Sequence, residues 1–153
     1  MSTLRFAAVN ADGLLADLDL PPAAYRALLK LRALSEAGGR IAIDQATIGE
    51  LLNLSRPSAN AALRSLELAK LVKKVRNGIY QINAMLAGYN SPEDAVAAVK
   101  AMSSDERLDD PHFVDRYHQA VDEYEDQLAE QRRKRAAKKA AAAKRRGALH
   151  AVS

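Results

Sequence analysis

Asn60 and Arg64 are the side chains of this chain best suited to reading another molecule by hydrogen bonds. They stand four residues apart in SRPSANAALRSLE, so on a helix they share one face, turned away from the apolar face of Ala59, Ala62, Leu63 and Leu66. A carboxamide can pair with adenine N6 and N7, and a guanidinium can bridge guanine O6 and N7. Pro57, Ala61 and Ser65 complete the outward face and Arg56 and Ser58 flank it. The face is small and polar, without the Glu/Lys pairs that solvate a surface helix, which suits it to a major groove. Arg56, Ser58, Asn60, Ala61, Arg64 and Ser65 are therefore the candidate contacts to double-stranded DNA.

The elements that must position these residues can be read on either side of them. Ile48, Leu51 and Leu52 fall at i, i+3, i+4 on a preceding short helix, which Asp44 can cap. Leu54-Ser55 makes a tight junction, where Ser55 is a good N-cap and Pro57 sits in the first turn, whose N–H groups lack helical partners. Beyond the second helix, Leu71 to Arg76 and Ile79 to Asn83 flank Asn77-Gly78, a dipeptide suited to a type I′ hairpin turn. Lys73, Lys74 and Arg76 on that hairpin can meet phosphates, which supply affinity and register without reading sequence. Leu68 falls on the outward side of the second helix, either packing under a later segment or standing as an isolated surface leucine. Upstream, Thr3 to Asn10 reads as a short strand and Asp12-Gly13 as a turn. Pro21-Pro22 opens a helix with Ala24, Ala27, Leu28, Leu31 and Leu34 on one face to about Ala37, ended by Gly38-Gly39, and Arg40 to Ile43 is a strand able to join the hairpin. The order helix, strand, helix, helix, strand, strand is that of a winged helix-turn-helix, a mainly α fold with a small β-hairpin (α+β).

From Tyr25 to Val72 the chain resembles MarR-type winged helices: LSRPSANAALRSLELAKLV stands where the recognition helix would be, and Leu71-Val72 starts the wing. Lys70 occupies a place where that pattern usually has glycine. NGIYQINAMLAGY is also similar to the end of the wing in plasmid RepL-type replication proteins. Their Tyr-x-x-Asn-Pro motif corresponds to Tyr80, Gln81, Ile82, Asn83 and Ala84, with alanine in place of proline. The first resemblance implies a DNA-binding transcriptional regulator, the second a replication initiation or copy-control protein of a plasmid or mobile element.

Past the wing, Ser91-Pro92-Glu93-Asp94 opens a helix through about Met102, whose Ala95, Val99 and Met102 can pack on the winged domain. Ser103 to Pro111 is acidic, lacks apolar periodicity and reads as a linker. From Pro111 a long helix carries Val114, Tyr117, Val121, Tyr124 and Leu128 at alternating spacings of three and four. That rhythm fits a homodimer seam or packing back on the same chain. Charge then divides sharply. Residues 91–130 hold twelve Asp/Glu and three Lys/Arg, whereas residues 131–153 hold nine Lys/Arg and no acid, an asymmetry hidden in the net +4. The tail cations Arg132, Arg133, Lys134, Arg135, Lys138, Lys139, Lys144, Arg145 and Arg146 form a candidate non-specific nucleic-acid arm, for DNA or RNA. The alternative is a solvated tail pairing with the acidic helix, as Glu130 and Lys134 can at i, i+4. Its alanine-rich composition has high helix propensity but no face to bury, so it should be frayed or disordered alone.

Catalytic and metal chemistry find little support. His118 and Asp122 lie at i, i+4, and His112 lies near Asp109 and Asp110, but neither pair has a third ligand. Nucleophile elbows, P-loops and GxGxxG patterns are absent, and no cofactor or enzyme is expected. The chain has no cysteine, which fits a reducing compartment, and no apolar run of membrane-spanning length, so a soluble cytoplasmic protein is expected. The expected organisation is an N-terminal arm over residues 1–20, a winged domain over 21–89, an acidic helical segment over 90–130 suited to dimerisation, and a basic tail over 131–153. The function expected is sequence-specific binding of double-stranded DNA by a homodimer, most simply for transcription regulation; the alternatives are plasmid replication and a protein or RNA interaction module.

Overall fold

Ala24, Ala27, Leu28 and Leu31, spaced by three and four, are all buried and form the inner face of a helix, α2 (Pro22–Leu34). The computed structural model describes residues 4–152, the last three by backbone alone. It divides the chain into a unit ending at His118 and a second that starts at Gln119. In the first unit α1 (Ala11–Asp17) precedes α2. After them come β1 (Arg40–Ala42), α3 (Gln45–Leu52), α4 (Arg56–Leu68), β2 (Val72–Arg76), β3 (Ile79–Ile82), α5 (Pro92–Lys100) and a single 3-10 turn at Ser104–Glu106. The last helix, α6 (Phe113–Val152), runs through the boundary.

The core of the first unit lies where α2, α3 and α4 meet, and the three-stranded antiparallel sheet, in the order β1-β3-β2, adjoins it. Ile48 and Leu52 from α3, Ala59, Ala62, Leu63 and Leu66 from α4, and Tyr80 and Ile82 from β3 are buried together with the α2 face. The register sets Ile41 opposite Tyr80 and Val72 opposite Ile82, so alternate β3 residues point into the core. Two cations serve this packing: Arg26 donates to the Leu52 carbonyl at 3.0 Å, satisfying a group at the end of α3, and Arg32 donates to the Leu86 carbonyl at 2.8 Å.

Several sequence expectations are corrected. Thr3 lies outside the described residues, and the rest of the expected N-terminal strand is a single bridge in which Phe6 and Tyr89 exchange backbone hydrogen bonds of 2.9 and 2.8 Å. Asp12-Gly13 is part of α1 instead of a turn, because burying Ala11, Leu15 and Leu18 outweighs the cost of one helical glycine, about 1 kcal/mol. Leu34 and Leu51 are exposed at 49% and 46%, and α2 ends at Leu34, short of Ala37. Gly39 does more than end that helix. Its φ is 92°, and a Cβ there would lie 2.8 Å from Ala87 Cβ, so the loop closes on the post-wing segment only with glycine. In the wing, Gly78 has φ 79° but Asn77 does not have a positive φ, so the turn is not type I′. A register shift between Lys74 and Arg76 leaves Val75 unpaired and supplies the local twist that a type I′ turn would otherwise provide.

The stretch 103–111 is not a free linker. Leu108 is buried, its N–H donates to Met85 Sδ at 3.3 Å, and the Glu106 carbonyl accepts from Asn83 at 2.8 Å. Arg107 clasps Asp109 through two bonds of 2.9 and 2.8 Å. One apolar side chain without a periodic partner was too small a signal to show this. Ser91 caps α5 as expected, accepting the Asp94 N–H at 3.1 Å. No α5 residue is fully buried, and Ala95 and Val99 line one side of an open apolar cleft with Phe6 and Tyr89 opposite.

The expected seam on α6 is divided. Tyr117 is buried in the first unit together with Phe113, so this half packs back on the same chain; Val121, Tyr124 and Leu128, in the second unit, are half-buried. The basic tail is helical throughout its described part instead of frayed. Its alanines carry the highest helix propensity of any residue, and it continues a helix already nucleated upstream. Glu130 and Lys134 pair across one turn at 3.4 Å.

Candidate nucleic-acid interface

Leu52, Asn53, Leu54 and Ser55 turn the chain from α3 into α4. Asn53 takes the left-handed conformation at φ 53°, which asparagine tolerates better than most residues, and the Leu54 N–H closes back on the Gly49 carbonyl at 2.9 Å. Gly49 permits the close approach: a Cβ there would meet the Leu54 carbonyl oxygen at 3.2 Å and Ala59 Cβ at 3.6 Å. Ser55 then caps α4, accepting the Ser58 N–H at 3.3 Å while its own hydroxyl donates to Ser58 Oγ at 3.0 Å. Asp44 caps α3 by accepting the Thr47 N–H at 2.7 Å, a bond that lowers its carboxyl pKa. Both caps were legible from residue type.

With Ala59, Ala62, Leu63 and Leu66 inward, α4 exposes Arg56, Pro57, Ser58, Ala61 and Arg64. Asn60 and Ser65 are half-buried, and the two differ from the fully presented side chains expected. The Asn60 Oδ1 atom is buried without a hydrogen-bond partner, and the Ser65 hydroxyl donates to the Ala61 carbonyl at 3.2 Å. Arg64 is thus the longest exposed donor in the middle of this face. Leu68 is half-buried, as a leucine packed under a later segment would be.

On the wing, Lys73, Lys74 and Arg76 are all exposed. Lys73 opposes Gln81 and Lys74 opposes Tyr80, so the two lysines leave opposite faces of the hairpin. The sequence reading missed how Glu67 enters this arrangement. It stands at the C-terminal end of α4, where burial raises its carboxyl pKa and the charges of Lys74 and Arg64 oppose that rise. Its carboxylate thus lies in the field of one cation from α4 and one from the wing. Helical spacing alone could have found the pairing with Arg64 at i, i+3.

Residues 18–78, from the end of α1 to the tip of the wing, match the family model of the MarR family. This segment is a winged helix-turn-helix similar to those of the MarR family. No curated protein and no solved structure matches the chain. Lys70, standing where glycine is usual in the MarR-type pattern, nevertheless takes φ 57°, so the left-handed cap after α4 is made by lysine. Its carbonyl accepts from Asn83 Nδ2 at 3.0 Å, and its ammonium pairs with Asp105 at 2.8 Å. Both anchors lie beyond the stretch that matches the family model, so the winged unit is braced from outside by the post-wing segment.

Asn83, the asparagine of the replication-protein resemblance, is buried at the end of the wing. It donates to the Lys70 and Glu106 carbonyls and accepts the Met85 N–H at 2.9 Å. Tyr80 of the same motif is a core residue, 1% exposed. Asp110 accepts the His112 backbone N–H and pairs with Arg116 at 3.2 Å, and among the described residues no group of three His, Asp or Glu is placed to hold a metal ion. None of their helices is long and apolar enough to cross a membrane. All nine tail cations are exposed.

Proposed function

We propose that the winged unit binds double-stranded DNA by sequence and that the protein regulates transcription as a homodimer. The observation that carries this reading is the surface of α4: an exposed Arg64 among the small side chains of Pro57, Ser58 and Ala61, on a helix capped by Ser55 and followed by an exposed basic wing. A helix with small residues at its N-terminal half can enter a major groove about 12 Å wide, and one guanidinium there can read a guanine. Lys73 and Arg76 hold phosphates beside it. Lys74, exposed on the other face of the hairpin, adds to them. The half-buried Asn60 amide takes a secondary part in reading bases, and Arg56, Ser58 and Ser65 position the helix on the backbone.

Homodimerisation engages Val121, Tyr124 and Leu128 of α6, a seam shortened by the burial of Tyr117 in the first unit. The Tyr80-to-Asn83 motif does not favour a replication role over a regulatory one, since the core and the Lys70 joint account for both of its named side chains. Selection of bound duplexes from a random pool tests the reading. It predicts enrichment of one short site, in two copies if a dimer binds, and location of that site at a promoter in the source DNA; a pool that stays random under selection contradicts it.

A further inference from the structure

The second unit is a single helix, and its basic half has a direction as well as a charge. At 100° per residue, all of the nine cations from Arg132 to Arg146 except Arg133 and Lys144 fall within an arc of about 160°. Five of the six alanines between Ala136 and Ala143 lie on the opposite side. A chain evolving only for solubility has no reason to sort charge and methyl groups onto two faces of a helix exposed all round. The helix dipole favours cations only in its last turn, so it does not explain a stripe that begins about five turns earlier.

We infer that this stripe is a second, sequence-independent site for the phosphate backbone of duplex DNA. From Arg132 to Arg146 the helix rises about 21 Å at 1.5 Å per residue. One DNA strand presents a phosphate about every 3.4 Å along the duplex axis, and those on the near side of the winding strand lie within reach of a helix of that length. Seven cations face them. No acid stands in the tail to oppose the contact. Glu130 engages Lys134 at 3.4 Å, but both side chains are more than 60% exposed, so phosphate can displace that pair at little cost.

The inference shares its ligand with the proposed function but rests on different residues, and the test separates them. In the full-length protein, Arg135→Gln with Lys139→Gln removes two charges from the stripe, while Arg133→Gln with Lys144→Gln removes two from outside it. Glutamine keeps helix propensity. The measurement is the slope of log affinity against log salt for a random-sequence duplex, with helicity followed by circular dichroism. The stripe pair should flatten the slope by about 2, and the other pair by less than about 0.5, since each phosphate contact contributes about 0.9. Equal flattening by both pairs overturns a docked face, and no flattening by either overturns the site. Tail-dependent binding that is tighter to an RNA duplex than to DNA of the same length reassigns the ligand and also overturns it. Arg64→Ala, assayed on the selected site, reports on the winged unit alone, so the tail inference can fail while base reading stands.

Discussion

The side-chain amide of Asn83 donates to the backbone carbonyl of Lys70 at 3.0 Å, tying the end of the wing to the residue that turns α4 into its first strand. Lys70 holds a left-handed φ of 57°, a conformation costing about 1 to 2 kcal/mol for a residue with a Cβ. It persists because Asn83 and Asp105 hold it from two sides. The orientation of recognition helix to wing therefore depends on residues that touch no ligand.

Asn83→Ala leaves the Lys70 and Glu106 carbonyls and the Met85 N–H without their partner. A loss of about 2 to 3 kcal/mol in unfolding free energy is expected, measured by urea denaturation. Lys70→Gly relieves the strained φ and gives up only an exposed ion pair, so it should raise stability by up to about 1 kcal/mol. If Asn83→Ala unfolds at the wild-type midpoint, the joint is not the brace described.

The Asp105 carboxyl is held at about 2, chiefly by its hydrogen bond to the Lys70 ammonium, with Ser103 and the lysine charge adding to the effect. Its folded pKa lies below its unfolded value, so its contribution to stability is complete above about pH 4 and disappears as pH falls toward 2. Thermal melts of the wild type and Asp105→Asn should differ at pH 5 to 7 and converge between pH 4 and 2. A difference that stays constant across that range would remove the ion pair from the account.

Leu128→Lys with Val121→Lys should convert the protein from dimer to monomer in analytical ultracentrifugation, because two charges cannot be desolvated in so short a seam. Weaker binding to a two-copy site should accompany it, with single-copy binding kept. A wild-type protein that sediments as a monomer at tens of micromolar rules out the dimer.

What the sequence revealed followed from local rules. Ser55, Asp44 and Ser91 were recognisable as caps because capping depends on one side chain and the next few N–H groups. The buried faces of α2 and α4 followed from a period near 3.6. Tertiary effects were hidden. Leu108 has no periodic neighbour, yet it anchors the stretch after α5; Asn83 looked like part of a motif, yet its three side-chain hydrogen bonds run to residues up to 23 positions away. At the candidate site, Arg64 and the wing cations were legible, because outward positions follow once the core face is known. The half-burial of Asn60 was not, since it depends on how α4 packs on its neighbours.

The affinity of Arg64→Ala for the selected site, compared with its affinity for random duplexes, tests base reading most directly. The guanidinium should supply about 1 to 3 kcal/mol on the preferred site and specify one base pair, so the variant should lose that much there, relax preference at that position and bind random DNA nearly as before. Lys73→Ala should weaken both kinds of duplex alike. Equal losses on specific and random DNA for Arg64→Ala would show that this face of α4 does not read bases.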